Sequence, residues 1–141
     1  MISAKAKVLQ LESEGGTIML VAFASKTGNV KAFVDKLSNQ CEISTLHINP
    51  DEVQKVNEPF ILITYTTGIG KTPQEVLDFL ELNAHLMVGV VGSGNMNWGQ
   101  MYCRASVDVA TKYDLPLIHR FELRGMASDI SIVKEFIENE K

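Results

Sequence analysis

At 141 residues the chain is one domain, long enough for a proper core. Its 45% hydrophobic and 21% charged content is that of a folded protein, and a net charge of −4 excludes the basic footprint of a nucleic-acid binder. No apolar run approaches the roughly 18 residues of a membrane span, so no membrane association is expected.

Residues 1–16 mix Lys5, Lys7, Glu12 and Glu14 with Val8, Leu9 and Leu11, lack the continuous apolar stretch of a signal peptide, and end in Gly15-Gly16. They read as an appendage, partly helical or disordered, hinged to a domain over residues 17–141. A strand-like run, Thr17 to Ala24, then breaks into Ser25-Lys26-Thr27-Gly28-Asn29, and helical periodicity follows at Val30, Phe33, Val34 and Leu37. A strand that feeds such a loop into a helix N-terminus makes an anion site, because unpaired N–H groups and the positive end of the helix dipole point at whatever sits there. The same residues serve equally well as a helix cap and turn. The run has neither the terminal Gly-Lys-Ser/Thr of the nucleotide-hydrolase phosphate loop nor the three-glycine dinucleotide fingerprint.

Glu42 to Ile48 alternates as an edge strand does and is stopped by Asn49-Pro50. A crossover helix is short or missing before Glu58. Pro59 to Tyr65 holds Phe60-Ile61-Leu62-Ile63, a continuous apolar run typical of a strand covered on both faces. Thr66-Thr67-Gly68-Ile69-Gly70-Lys71 breaks it. The next helix is expected to start with Thr72 as N-cap, Pro73 at the first position and Glu75 closing a capping box, with Val76, Phe79 and Leu80 inward.

Leu86 to Val91 is the next buried strand, and Gly92 to Gly99 the third small-residue loop. The helix after it shows Met101, Ala105 and Val109 inward, or Tyr102 and Ser106 on its flank. Leu115 to Ile118 opens the last strand, with Pro116 placing its start near an edge, and Ser128 is expected to cap a final helix built on Ile130, Val133 and Ile137.

Strands alternating with amphipathic helices give an α/β fold, a parallel sheet wrapped on both faces. Ligands of such sheets bind beyond the C-terminal strand ends, where strand order reverses. Three loops should meet there. The first carries Ser25, Lys26, Thr27, Gly28, Asn29 and Val30; the second Tyr65, Thr66, Thr67, Gly68, Ile69 and Gly70; the third Ser93, Gly94, Asn95, Trp98 and Gly99. Trp98 either stacks on a planar ligand or folds down over the helix behind it, and Tyr65 carries the same ambiguity. His47, His85 and His119 show no metal spacing. Cys41 and Cys103 lie far apart, as reduced thiols of a cytoplasmic protein do.

Four runs carry a resemblance: Ala24 to Val30, Leu62 to Gly70, Ser93 to Gly99, and Pro116 to Gly125. In order and composition they are similar to the NrdI family, small flavodoxin-like FMN proteins associated with class Ib ribonucleotide reductase. The likeness spans about residues 17–139. It implies a flavodoxin-like three-layer sandwich with a five-stranded parallel sheet in the order 2-1-3-4-5. That order, with FMN at the β1/β3 switch point, is flavodoxin's own and is carried over by likeness.

The resemblance places the FMN phosphate on Ser25 to Val30 and the isoalloxazine between the second and third loops. It implies that the reduced protein passes an oxygen-derived oxidant, superoxide or peroxide, to the dimanganese small subunit of the reductase, which then assembles its tyrosyl radical. A flavodoxin or NAD(P)H reductase would supply the electrons and molecular oxygen would be a reactant. A generic flavodoxin, carrying single electrons to another acceptor, is the alternative. A flavin-free interaction module is a third, since fold does not fix function. A receiver domain would need an acidic cluster at the strand ends, and a low-molecular-weight phosphatase a cysteine in its phosphate loop; neither is present.

Overall fold

The computed structural model describes residues 18–140. The expected appendage at 1–16 lies outside the described residues. Five strands form one sheet: β1 (Met19–Phe23), β2 (Ile43–His47), β3 (Phe60–Thr64), β4 (Met87–Gly94) and β5 (Leu117–Glu122). All pairings are parallel and the order is β2-β1-β3-β4-β5. The register aligns Leu20 of β1 with Ser44 on one side and Phe60 on the other. Among the described residues four α-helices cover the sheet: α1 (Asn29–Gln40), α2 (Gln74–Asn83), α3 (Arg104–Tyr113) and α4 (Ala127–Asn139).

Strand alternation divides the interior into two cores. Leu20, Ala22, Phe60, Leu62 and Val90 face α2 and α3, whose Val76, Phe79, Leu80 and Val109 meet them. Val21, Phe23, Ile61, Ile63 and Val91 face the other way, toward Phe33 and Leu37 of α1 and Val133 and Ile137 of α4. Every residue of β3 is buried, the signature of a central parallel strand with helices on both faces. The edge strand β2 is only partly covered. Phe33 stacks on Phe121 at 3.9 Å, tying α1 to β5, and Phe60 meets Phe79 edge-on at 5.5 Å.

No helix lies between Asn49 and Glu58. Irregular chain takes its place, held by the buried amide of Asn83. Its Oδ1 accepts from Val56 N–H at 3.0 Å, and its Nδ2 donates to Gln54 O at 2.9 Å and Phe79 O at 3.0 Å. A buried amide with its bonds met fixes a segment that lacks secondary structure of its own.

The strand and helix bodies follow the sequence expectations; several ends do not. Helix α2 begins at Gln74 with Pro73 as N-cap and no side-chain cap, so the expected Thr72–Glu75 capping box is absent. Glu75 is engaged elsewhere, accepting from Tyr65 Oη–H at 2.9 Å. Ser128 does not cap α4. That helix starts at Ala127 behind Met126, whose N–H donates to Asp129 Oδ2 at 2.7 Å. Asp129 Oδ1 also lies 2.7 Å from His119 Nε2. Burial alone would push the Asp129 carboxyl up, but its bonds to His119 and Met126 N–H outweigh that and hold it below the usual aspartate value.

Ser106 is fully buried instead of lying on a flank. A β-carbon on Gly92 would collide with its hydroxyl, so Gly92 is what lets α3 lie directly on β4. Strand β4 runs on to Gly94, three residues beyond the expected end at Val91, and takes Gly92, Ser93 and Gly94 out of the loop.

Candidate functional site

Strand β1 pairs with β2 on one side and β3 on the other, so strand order reverses between β1 and β3. A cleft of about 360 Å³ opens at the C-terminal ends there, within the size range of small-molecule sites.

Its first wall is the loop after β1. Lys26, Thr27, Asn29 and Val30 line the cleft. Gly28 is the N-cap of α1 with φ +94, a left-handed conformation that glycine adopts without strain. Ala32 N–H donates to Gly28 O at 2.9 Å and Lys31 N–H to Ser25 Oγ at 3.2 Å. Helix geometry leaves the N–H groups of Asn29 and Val30, ahead of these, without intrahelical acceptors. Ser25 thus acts as a brace of the helix start and does not line the cleft. Two open N–H groups, the Thr27 hydroxyl and the exposed Lys26 ammonium suit a phosphate-class anion.

The second wall follows β3. Tyr65, Thr66, Thr67 and Gly68 line the cleft, while Ile69 and Gly70 do not. Thr67 and Lys71 exchange two backbone hydrogen bonds, 2.8 and 2.9 Å, which close a tight loop with Gly68 at φ +55 and Gly70 at φ +67. Ile69 sits at its tip, 83% exposed. Gly70 faces the Met101 sulfur, and its positive φ is what a side chain would strain. The buried hydroxyl of Thr66 turns inward and accepts from Ala105 N–H at 3.0 Å, capping the first turn of α3. Tyr65 is held by its bond to Glu75. Burial first, and the Glu75 carboxylate second, push its phenol up to about 12, so it stays protonated at neutral pH.

The third wall comes from β4 and the loop after it. Ser93, Gly94, Asn95 and Trp98 line the cleft. Asn95 Oδ1 accepts from Asn97 N–H at 2.9 Å, an Asx turn that starts a short 3-10 segment, Met96–Met101, broken at Gly99 by φ +58. Gly99 shapes the loop without lining the cleft. Trp98 is 48% exposed and packs into neither core.

Sequence reasoning missed one lining residue, Leu123, in the turn after β5. Its signal is conformational, φ +56 in a leucine, at a cost of roughly 1–2 kcal/mol. Residue type alone does not reveal that.

Cys103 is buried, donates its S–H toward Phe121 O at 3.7 Å, and is pushed up to about 11 by burial, which makes it a poor nucleophile. Among the described residues no group of three or more His, Cys, Asp or Glu is placed to hold a metal ion. No described helix is long and apolar enough to cross a membrane. The donor set, cationic and N–H-rich at one end and aromatic at the other, fits a phosphorylated molecule with a planar ring.

Comparison with known proteins agrees with that chemistry. The family model described as "NrdI Flavodoxin like" matches residues 21–135. The chain is 41% identical over 120 residues to Protein NrdI of Bacillus licheniformis, covering 84% of this chain and 86% of that protein. It is 40% identical over 118 residues to Protein NrdI of Macrococcus caseolyticus, covering 84% and 85% respectively. Among solved structures, oxidised flavodoxin 1 of Bacillus cereus superposes with a TM-score of 0.64 at 20% identity, over 86% of this chain and 95% of that one. A short-chain flavodoxin associated with a bacterial microcompartment gives 0.60 at 23% identity, over 86% and 94%. These two show the fold alone.

Proposed function

The chain belongs to the NrdI flavodoxin-like family, and from that premise we propose that it binds FMN in the three-walled cleft and, once reduced, supplies an oxygen-derived oxidant to the dimanganese small subunit of a class Ib ribonucleotide reductase. The observation that carries the reading is the pairing, in one cleft at the β1/β3 reversal, of open α1 N–H groups with the half-exposed Trp98.

A bound flavin supplies electrons for reduction of dioxygen to superoxide or peroxide. The protein's own residues do the rest. The first turn of α1, with Thr27 and Lys26, holds the phosphate. Trp98 and the Tyr65 ring offer aromatic surface to the isoalloxazine. No acidic residue stands between Thr66 and Lys71, so the second loop adds no negative charge beside a reduced, anionic ring. This arrangement favours two-electron reduction. No side chain is required as acid, base or nucleophile.

Exposed apolar side chains stand on the same loops: Ile69 at 83%, Met96 at 61% and Trp98 at 48%. Such a cluster beside a cleft suits a docking partner, and docking over the cleft would deliver the oxidant without release to solvent.

The test has two stages. The full chain, incubated with FMN and freed of excess, should retain flavin absorbance in a 1:1 ratio. Reduced anaerobically and mixed with the manganese-loaded class Ib small subunit, it should generate the tyrosyl radical, read by electron paramagnetic resonance, only when oxygen is admitted. Retained flavin without radical formation would favour the single-electron carrier instead. A colourless protein would remove both readings.

A further inference from the structure

Three residues other than glycine have positive φ among the described residues: Cys103, Asp114 and Leu123. The first two have plain structural reasons. Asp114 terminates α3 in the left-handed cap that aspartate tolerates. Cys103 precedes α3, buried and bonded to Phe121 O. Gly125, two residues after Leu123, also has positive φ, and there a β-carbon would lie 2.6 Å from Phe33, so the fold itself requires glycine. At Leu123 backbone bonds and the turn closed by Gly125 N–H to Glu122 O at 2.9 Å set the conformation, but no core packing asks for a leucine there. Its side chain is 46% exposed and packs into neither core.

The backbone around it is fully committed. Leu123 N–H donates to Gly94 O at 2.8 Å, and its C=O accepts from the buried Ser93 hydroxyl at 2.7 Å. Both polar groups turn toward β4, so what Leu123 offers the cleft is hydrocarbon. Glycine would relax this backbone, yet a strained leucine occupies it, and strain of this kind gathers at ligand sites.

We propose that Leu123 is a cofactor-binding residue, its side chain supplying with Trp98 the apolar surface against which the planar ring of the ligand is held. This deepens the FMN reading above and rests on it. The bonds to Gly94 and from Ser93 hold the Leu123 main chain before the ligand arrives, so no backbone ordering cost falls on binding.

The experiment compares the full-length wild type with Leu123→Gly and Leu123→Met, measuring FMN affinity by quenching of flavin fluorescence and melting temperature without flavin. Leu123→Gly should melt at or above the wild-type temperature, since backbone strain is relieved, while binding FMN about tenfold more weakly through loss of apolar contact. Leu123→Met should restore affinity to within about twofold of wild type, as a near volume-conserving swap. Unchanged affinity in Leu123→Gly overturns the proposal, as does a lowered melting temperature, which would make the leucine a structural residue. Failure of the wild type itself to bind FMN would strike the flavin reading instead, and this one with it.

Discussion

Glu58 Oε1 is the one buried side-chain oxygen or nitrogen among the described residues without a hydrogen-bond partner. Burial raises the Glu58 pKa above its ordinary value of 4.5, so the folded state binds the proton more tightly than the unfolded one. Well below pH 4.5 both states are protonated and burial carries no charge penalty. As pH rises through the folded-state value the carboxylate ionises without a partner, and stability is lost. Glu58→Gln should therefore raise the urea midpoint at neutral pH and leave it nearly unchanged well below pH 4.5; equal shifts at both would contradict the account. Residue type announced such polar groups without their direction. Thr66, Ser93 and Tyr65 were legible as members of the second and third loops, but the first two turn their hydroxyls inward and the third is tied to Glu75. A hydroxyl's partner is set by tertiary neighbours far along the chain, which no local pattern contains.

At the scale of elements, the second loop and α3 are joined through the Thr66 bond to Ala105 N–H. Thr66→Val keeps the shape but leaves that buried N–H unpaired, and should cost about 1–2 kcal/mol. Urea unfolding should show a lower midpoint at unchanged slope, with Thr66→Ser close to wild type. FMN affinity should move little, since the Thr66 hydroxyl is already occupied; a large loss of affinity with unchanged stability would reassign it to the ligand. Strand and helix bodies were readable because burial imposes period 2 or 3.6 on the apolar residues. Their ends were not. The Thr72–Glu75 box was sound as a local signal, but Glu75 found a better partner in Tyr65. Gly92 and Gly94 read as loop residues because glycine marks both turns and close approach, and only the packing of Ser106 and Cys103 against them decides which.

For the whole molecule, the parallel order brings the three small-residue loops to one end of the sheet, and the site's position follows from topology more than from any single residue. That is why the cleft could be anticipated from strand count and loop composition while Leu123 could not. The same convergence gathers exposed apolar side chains around the cleft mouth, with Ile69 the most exposed at 83%. Ile69 does not line the cleft and makes no core contact, so the fold gains little from it, whereas a partner closing over the cleft would bury it. Fully burying an isoleucine is worth about 1.5–3 kcal/mol, and placing a charge there would add a desolvation penalty on docking. Ile69→Asp should thus weaken binding to the class Ib small subunit by more than tenfold, measured by calorimetry with the flavin-loaded protein. FMN affinity and melting temperature should stay near wild type. If FMN affinity falls in step with partner binding, the loop tip shapes the cofactor site and the docking surface lies elsewhere on the molecule.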